Sequence, residues 1–299
     1  MLAIFQKARQ NKYAIGAFNA SNLEQIRAIV QAGQKLASPL MIATSEGESN
    51  FIGLRQAVAL VKSWRQQVEI PIILHLDHGK SFERIKEAVE VGYDSVHFDG
   101  SELSFEENIE MTKKVVDYVG GLASHIIVEG ELGYLPGKSA LHGTIEIKKE
   151  DLTDPDQALE FVEKTGVDSL AVAIGNIHGI IERQKAGQFG REGSEKRENP
   201  HLFLERLKEI RDKIGDKAFL VLHGGSGTPE DDIKKAIDLG IVKVNINTEL
   251  RLAYSQALKK SLQENPQETT PYKIMPPVVE AVQKVVETKL ILFGSDSKI

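Results

Sequence analysis

Three short segments each place a histidine beside glycine at the end of an apolar run: Leu74-His75-Leu76-Asp77-His78-Gly79, Ile174-Gly175-Asn176-Ile177-His178-Gly179 and Leu222-His223-Gly224-Gly225-Ser226-Gly227. An imidazole offers a neutral nitrogen lone pair. Three of them suit a zinc-type divalent ion and leave a coordination position open to substrate. Glycine next to the ligand lets an ion or substrate approach the backbone closely. The chain has no cysteine, so disulfides and thiolate metal sites are excluded, and eight histidines with neighbouring carboxylates remain as ligands. One histidine after an apolar run is ordinarily a hydrogen-bonded structural residue. Three in equivalent places point to a shared ion, and His78, His178 and His223 are therefore read as its ligands. His75 lies three residues before His78, so strand alternation places it differently and gives it a supporting role. His97 and His125 read as structural, and His142 and His201 as loop residues.

Asp77, beside His78, has two readings. It is either a carboxylate that orients a metal-bound histidine or an acid/base next to the metal. A second chemistry lies in the turn Gly224–Gly227, just before a helix beginning near Pro229. Backbone N–H groups and the helix dipole there suit a phosphate. Asn245-Ile246-Asn247-Thr248 follows the last apolar run, and adjacent loops of this kind form a recurrent phosphate site in β/α barrels.

Residues so far apart in sequence meet only if several strands end on one face. Eight apolar runs are candidate strands: Ala14–Phe18, Leu40–Thr44, Ile70–Leu76, Ser95–Phe98, Ile126–Glu129, Ser169–Ile174, Phe219–Leu222 and Val242–Ile246. They are nearly continuous, not alternating, as strands covered on both faces are. Helical patterns lie between them at Asn22–Ala37, Phe82–Val91, Phe105–Val119, Asp156–Thr165, Leu202–Lys213 and Pro229–Leu239. Ser21, Ser81, Ser104, Asp154 and Thr228 are the expected N-caps. About eight β/α units predict a (β/α)8 TIM barrel, an α/β fold, as a single domain over residues 1–299. An open doubly wound sheet is the alternative, weakened by the lack of a GxGxxG turn after the first strand. Two irregular stretches, Gly133–Lys149 and Arg183–Pro200, are expected to be mobile loops.

Composition sets the outer bounds. The chain has 299 residues, 41% hydrophobic and 27% charged, with net charge −6, which supplies a sizeable core and argues against nucleic-acid or membrane-surface partners. Met1–Gln10 reads as an amphipathic helix and not a signal peptide. No run approaches the length of a membrane span. A cytoplasmic location is expected.

These segments together resemble the class II fructose-bisphosphate and tagatose-bisphosphate aldolases. The resemblance lies in Leu74–Gly79, Gly130–Gly133, Ala173–Gly179, Leu222–Gly227 and Lys243–Glu249, with Gly16–Asn19, Ser45–Gly47 and Phe293–Ser295 in the same order. It implies a lyase that cleaves a ketose 1,6-bisphosphate, fructose first and tagatose second, into dihydroxyacetone phosphate and glyceraldehyde 3-phosphate. It implies catalytic Zn2+ on His78, His178 and His223, and Asp77 as the acid/base at the C4 hydroxyl. Asp99 and Glu131 match carboxylates lining a second position for a divalent or monovalent cation. Gly179, Gly225, Ser226, Asn245, Asn247 and Thr248 match residues that bind the dihydroxyacetone-phosphate end, and Asn19 and Ser45 match substrate-side polar residues. Arg251 matches an arginine that reaches the other phosphate from a neighbouring subunit, which implies a homodimer or homotetramer. Such a site needs no Schiff-base lysine, because the metal is the electron sink.

Two departures stand out. The family's loop acid, which moves the proton of the enediolate, is missing from Tyr134-Leu135-Pro136-Gly137-Lys138-Ser139-Ala140-Leu141-His142. His142 and Glu146 are the candidate replacements. Glu182 stands near where the family carries a phosphate-binding lysine. Two other classes of function stay open: a metal-dependent hydrolase, which has no use for paired phosphate loops, and a non-catalytic sugar-phosphate binding protein.

Overall fold

Strands that are apolar on both faces must be covered on both, and here they close on themselves. The computed structural model describes residues 1–122, 126–142, 145, 147–181 and 199–299. Among them are β1 (Ile15–Asn19), β2 (Leu40–Ser45), β3 (Ile72–Gly79), β4 (Ser95–Phe98), β5 (Ile127–Leu132), β6 (Gly137–His142), β7 (Ser169–Val172), β8 (His178–Ile181), β9 (Phe219–Leu222) and β10 (Ile241–Ile246). All but β6 and β8 form a closed parallel barrel in the order β1-β10-β9-β7-β5-β4-β3-β2. The expected TIM barrel is the observed fold, and the eight runs read from the sequence lie within three residues of its strands. In the small parallel sheet β6-β8, β6 falls in the stretch Gly133–Lys149 expected to be loop and β8 begins at the strand-end histidine His178, and Gly137 pairs with His178. Most of the Arg183–Pro200 stretch, with Glu146 and His125, lies outside the described residues.

The helices are α1 (Leu2–Gln10), α2 (Leu23–Lys35), α3 (Glu46–Ile52), α4 (Leu54–Arg65), α5 (Phe82–Val91), α6 (Phe105–Gly120), α7 (Pro155–Thr165), α8 (Leu204–Ile214), α9 (Glu230–Asp238), α10 (Thr248–Glu264), α11 (Pro271–Ile274) and α12 (Pro276–Leu292). Ser81, Ser104 and Asp154 cap α5, α6 and α7 as expected. Two caps differ. Asn22, extended at φ −155°, caps α2 in place of Ser21, whose N–H donates to Gln25. Thr228 turns its hydroxyl back to the Gly224 carbonyl, and α9 starts without a side-chain cap.

Alternation along the strands sorts the barrel into layers. Outward residues such as Leu74, Leu76, Val128, Leu220 and Val244 pack under the helices. Inward residues at the strand beginnings form a dry floor of Ile15, Met41, Ile73, Ile127, Phe219 and Val242, closed by Phe5 and Ala8 of α1. Above that floor the interior turns polar, with buried His75, Ser95, Glu129, Ser169 and Lys243. The next layer, at the strand ends, carries Asn19, Ser45, Asp77, His97, Glu131, His223 and Asn245.

Strict alternation forbids Asp77 and His78 from facing the same side. The register of β3 against β4 shifts between Leu76 and Gly79, and His78 adopts φ +53°. This bulge turns both side chains toward the barrel axis. Close backbone approach is required again at Gly224, which has φ +65° and would bring a Cβ to 2.1 Å from the Ile177 carbonyl. Gly224→Ala should therefore cost about 1–3 kcal/mol and displace His178 from His223. A lowered urea midpoint together with weakened metal binding is the expected result.

Candidate metal centre and substrate cleft

Two ring nitrogens face each other at the top of the barrel. His223 Nδ1 stands 3.1 Å from His78 Nε2. The opposite nitrogen of each ring meets a carboxylate: His78 Nδ1 lies 2.9 Å from Asp99 Oδ2, and His223 Nε2 lies 2.8 Å from Glu129 Oε1. A carboxylate can only accept, so those nitrogens carry the protons. Two lone pairs are left pointing at each other, an arrangement that requires a cation or a proton between them. Burial opposes charge on His78, but Asp77, the Asp99 hydrogen bond and Glu131 outweigh it and push its pKa up to about 10. The site thus draws positive charge to the place where a metal would sit. His223 is held well below the usual histidine range by burial and by His78, and His178 falls to about 4 for the same reasons. Both offer neutral imidazoles.

The donor set extends beyond the three histidines. Donor atoms of Asp77, His78, His97 and His223 all lie within 4.8 Å of one another, as do those of His78, Asp99 and Glu131. The second group contains the carboxylates read as lining another cation position. Glu131 Oε2 is buried without a hydrogen-bond partner. His178 stands slightly apart, its ring centre 5.0 Å from His78 and 6.2 Å from His223. His97 was read as structural, yet it belongs to the cluster. Its Nδ1 accepts the backbone N–H of His78 at 3.2 Å, satisfying the donor freed by the bulge, and its Nε2 lies 3.2 Å from Glu131.

Beneath the ligands runs a buried ionic string. Lys243 Nζ donates to both oxygens of Glu129 at 2.9 and 2.8 Å and to His75 Nε2 at 3.1 Å. Since His75 Nε2 accepts, its Nδ1 donates to Ser95 Oγ at 2.8 Å. Burial opposes ionisation of Glu129, but Lys243, His75 and His97 outweigh it and lower its pKa to about 2. Glu129 and Lys243 were missed in the sequence reading. Their only signal there was a charged residue in a mostly apolar run.

The histidine–carboxylate cluster opens into a cleft of about 390 Å³, in the size range of small-molecule sites. Asn19, Ser45, Asp77, His78, His178, Gly179, His223, Ser226, Asn245, Asn247, Thr248 and Arg251 all line it. Asp77 accepts from Asn19 at 3.0 Å and from Asn245 at 3.0 Å. Burial opposes its charge, but His78, His223, His75 and Lys243 hold its carboxyl far below the usual range. Ser226 Oγ accepts the N–H groups of Asn247 and Glu249 at 3.3 Å each, so its own proton is free to donate into the cleft beside the α10 N-terminus. Gly225 points elsewhere. Its N–H donates to the Asn245 carbonyl, and a Cβ would meet Val244 at 2.5 Å. Arg251 is exposed on the first turn of α10, on the rim of its own chain's cleft. The backbone of His142 pairs with Ile181 at the end of β6. His201 is a surface residue whose Nδ1 pairs with Asp232 at 2.8 Å. Glu48, overlooked in the sequence reading, also lines the cleft.

Comparison with known proteins agrees with this geometry. The family model described as fructose-bisphosphate aldolase class-II matches residues 1–298. A sulfofructosephosphate aldolase of Alkalicoccus urumqiensis is 36% identical over 297 residues, covering 99% of this chain and 96% of its own. A fructose-bisphosphate aldolase of Thermus caldophilus is 38% identical over 315 residues, covering 98% and 97%. Among solved structures, the YdjI aldolase of Escherichia coli K12 superposes with a TM-score of 0.79 at 36% identity, covering 99% of this chain and 97% of its own.

The buried string makes a definite prediction. Lys243→Met leaves Glu129 buried and charged without its ammonium, with His223 still donating to it, and should cost about 3–5 kcal/mol. Adding Glu129→Gln removes that charge and should recover much of the loss. Metal affinity should nonetheless stay lowered by about 10–100-fold in the double variant, because His223 has lost its anionic partner. Urea midpoints and metal titration separate the two effects. The parent's acid response follows with a definite sign. Glu129 stabilises the fold above its unfolded value of 4.5, and that contribution is lost as pH falls toward its folded value of about 2.

Proposed function

Because this chain belongs to the class II fructose-bisphosphate aldolase family, a family of carbon–carbon lyases, we propose that it reversibly cleaves a phosphorylated ketose to dihydroxyacetone phosphate and an aldehyde at a zinc centre held by His78, His178 and His223. The observation that carries the reading is the pair of facing lone pairs on His78 and His223, 3.1 Å apart and each backed by a carboxylate. Held by those histidines, an ion of this kind would supply the electron sink for charge that develops when the carbon–carbon bond breaks.

The protein's own groups do the rest. Asp77 is held ionised between the Asn19 and Asn245 amides, in the form able to take the hydroxyl proton of the breaking alcohol. Ser226 and the α10 N-terminus, with Thr248, offer donors for the phosphate of the ketone half. Asp99 and Glu131 form a second cation position beside His78. His142 and Glu146 are the candidates for the missing loop acid. Arg251 stands at the cleft mouth, where a neighbouring subunit in a homodimer or homotetramer would share it.

Fructose 1,6-bisphosphate is the first substrate to test and tagatose 1,6-bisphosphate the second. A different sugar phosphate is a second reading. It is favoured by Glu48 in the cleft, and by relatives at 36% and 38% identity that are named for two different substrates.

Chelation should abolish aldol cleavage, with zinc restoring it. Asp77→Asn should keep metal bound and lower turnover by roughly 10² or more. Near-normal turnover in that variant, followed by triose phosphate release, would reduce Asp77 to a residue that orients His78.

A further inference from the structure

One wall of the cleft is a continuous hydrogen-bonded string of alternating amides and carboxylates. Asn245 Nδ2 donates to Asp77 Oδ1 at 3.0 Å, and Asn19 Nδ2 donates to Asp77 Oδ2 at 3.0 Å. The same Asn19 nitrogen donates to Glu48 Oε2 at 2.9 Å, and Asn247 Nδ2 donates to Glu48 Oε1 at 3.3 Å. The two carboxylates fix the orientation of all three amides, because a flipped amide would set oxygen against oxygen. Every amide N–H₂ is thereby turned toward a carboxylate. The three amide oxygens, Oδ1 of Asn19, Asn245 and Asn247, are buried and have no hydrogen-bond partner in the protein. A buried acceptor without a donor is costly, so this wall is built to receive donors.

Glu48 is the unusual member. It is the third residue of α3, where its side chain accepts the Ser45 N–H at 2.7 Å in a capping box. A capping glutamate is ordinarily solvated on a helix surface. This one lines the cleft, and its neighbours are Asn19, Ser45 and the carboxylate of Asp77. Burial and Asp77 raise its pKa against the lowering effect of those hydrogen bonds. Among the described residues it makes no ion pair. Arg251, the arginine lining the cleft, is carried on the first turn of α10 with Thr248, beside Ser226. A phosphate placed against Glu48 would meet a like charge.

We propose that the Asn245–Asp77–Asn19–Glu48–Asn247 string reads hydroxyl groups. Glu48 then makes this protein select ketose 1-phosphates whose aldehyde-derived end is an uncharged polyol over those phosphorylated at that end. Each hydroxyl along that end donates to an amide oxygen or a carboxylate, and the carboxylate bonds are charge-assisted. Discrimination comes from both sides, since the wall rewards donors and repels an anion. The proposal rests on the aldolase reading and narrows it.

The test runs the reaction toward condensation with the zinc-loaded full chain. The carbon deprotonated in dihydroxyacetone phosphate bonds to the aldehyde carbon, the aldehyde oxygen takes up a proton, and no other reactant is consumed. Exchange of the dihydroxyacetone-phosphate proton with solvent, followed by NMR without aldehyde, reports the metal half alone. The ratio of kcat/KM for D-glyceraldehyde to that for D-glyceraldehyde 3-phosphate reports the wall. Enzyme concentration cancels in this ratio, so a partly folded variant does not distort it. The parent should favour D-glyceraldehyde. Glu48→Gln, which retains the capping box, should shift the ratio toward the phosphorylated aldehyde by about tenfold or more, the scale of one like-charge contact in partly screened surroundings. Glu48→Ala, which keeps Ser45 as N-cap, should shift it the same way. Exchange with a parent preference for the phosphorylated aldehyde, or a ratio unmoved in both variants, overturns the proposal and leaves the aldolase reading standing. Absence of both exchange and condensation defeats the aldolase reading and the proposal with it.

Discussion

A single ammonium in the middle of the barrel organises the chemistry above it. Lys243 is fully buried and holds both oxygens of Glu129, which in turn binds His223 Nε2. Desolvating an ion pair so deeply costs several kcal/mol per ion, and stability alone does not explain it. What the pair provides is direction. It fixes the proton on His223 Nε2 and so turns the Nδ1 lone pair toward His78. Asp99 does the same for His78 from the opposite side. Four carboxylates, Asp77, Asp99, Glu129 and Glu131, then crowd around imidazoles, and among the described residues the lysines that reach them are the buried Lys243 at Glu129 and the half-exposed Lys80, 3.9 Å from Asp99. The carboxylates suit added positive charge, which a divalent ion at the proposed centre would supply.

Room for these polar groups exists because the floor of the barrel is dry. Six apolar side chains from six strands pack beneath them, and α1 closes that end. The parallel arrangement sends all the strand ends to the opposite face, and the polar layers sit there. One irregularity fits the regular frame to the histidine–carboxylate cluster. The bulge at His78 lets two successive residues face inward, so that acid/base candidate and ligand come from adjacent positions. His97 steadies the bulge by accepting its free N–H. The strained residue is thus held by the same cluster that it serves.

The cleft wall repeats this logic with neutral groups. Asn19, Asn245 and Asn247 spend their donors on Asp77 and Glu48 and keep their acceptors. Opposite in character, Ser226 and the start of α10 keep donors. A substrate with an anion at one end and hydroxyls along the other meets complementary groups in both places.

Much of this was legible in the amino-acid order. Eight apolar runs spaced by helical patterns determine the barrel, because strands without a polar face must be enclosed. Histidines beside glycine at three strand ends point to one candidate metal-binding face, since parallel strands end together. Tertiary structure alone decided the rest. Glu129, Lys243 and His97 are polar residues in mostly apolar strands, and a local pattern cannot say which of them meet across a closed barrel. Asp77 and His78 obey strand alternation only on paper, because the bulge that joins them depends on pairing with β4. Glu48 is the last member of a capping box, a local role that gives no sign of a site. That its carboxylate also faces the cleft follows from where the barrel sets α3, against Asn19 of β1 and Asn247 at the start of α10, residues 29 and 199 positions away.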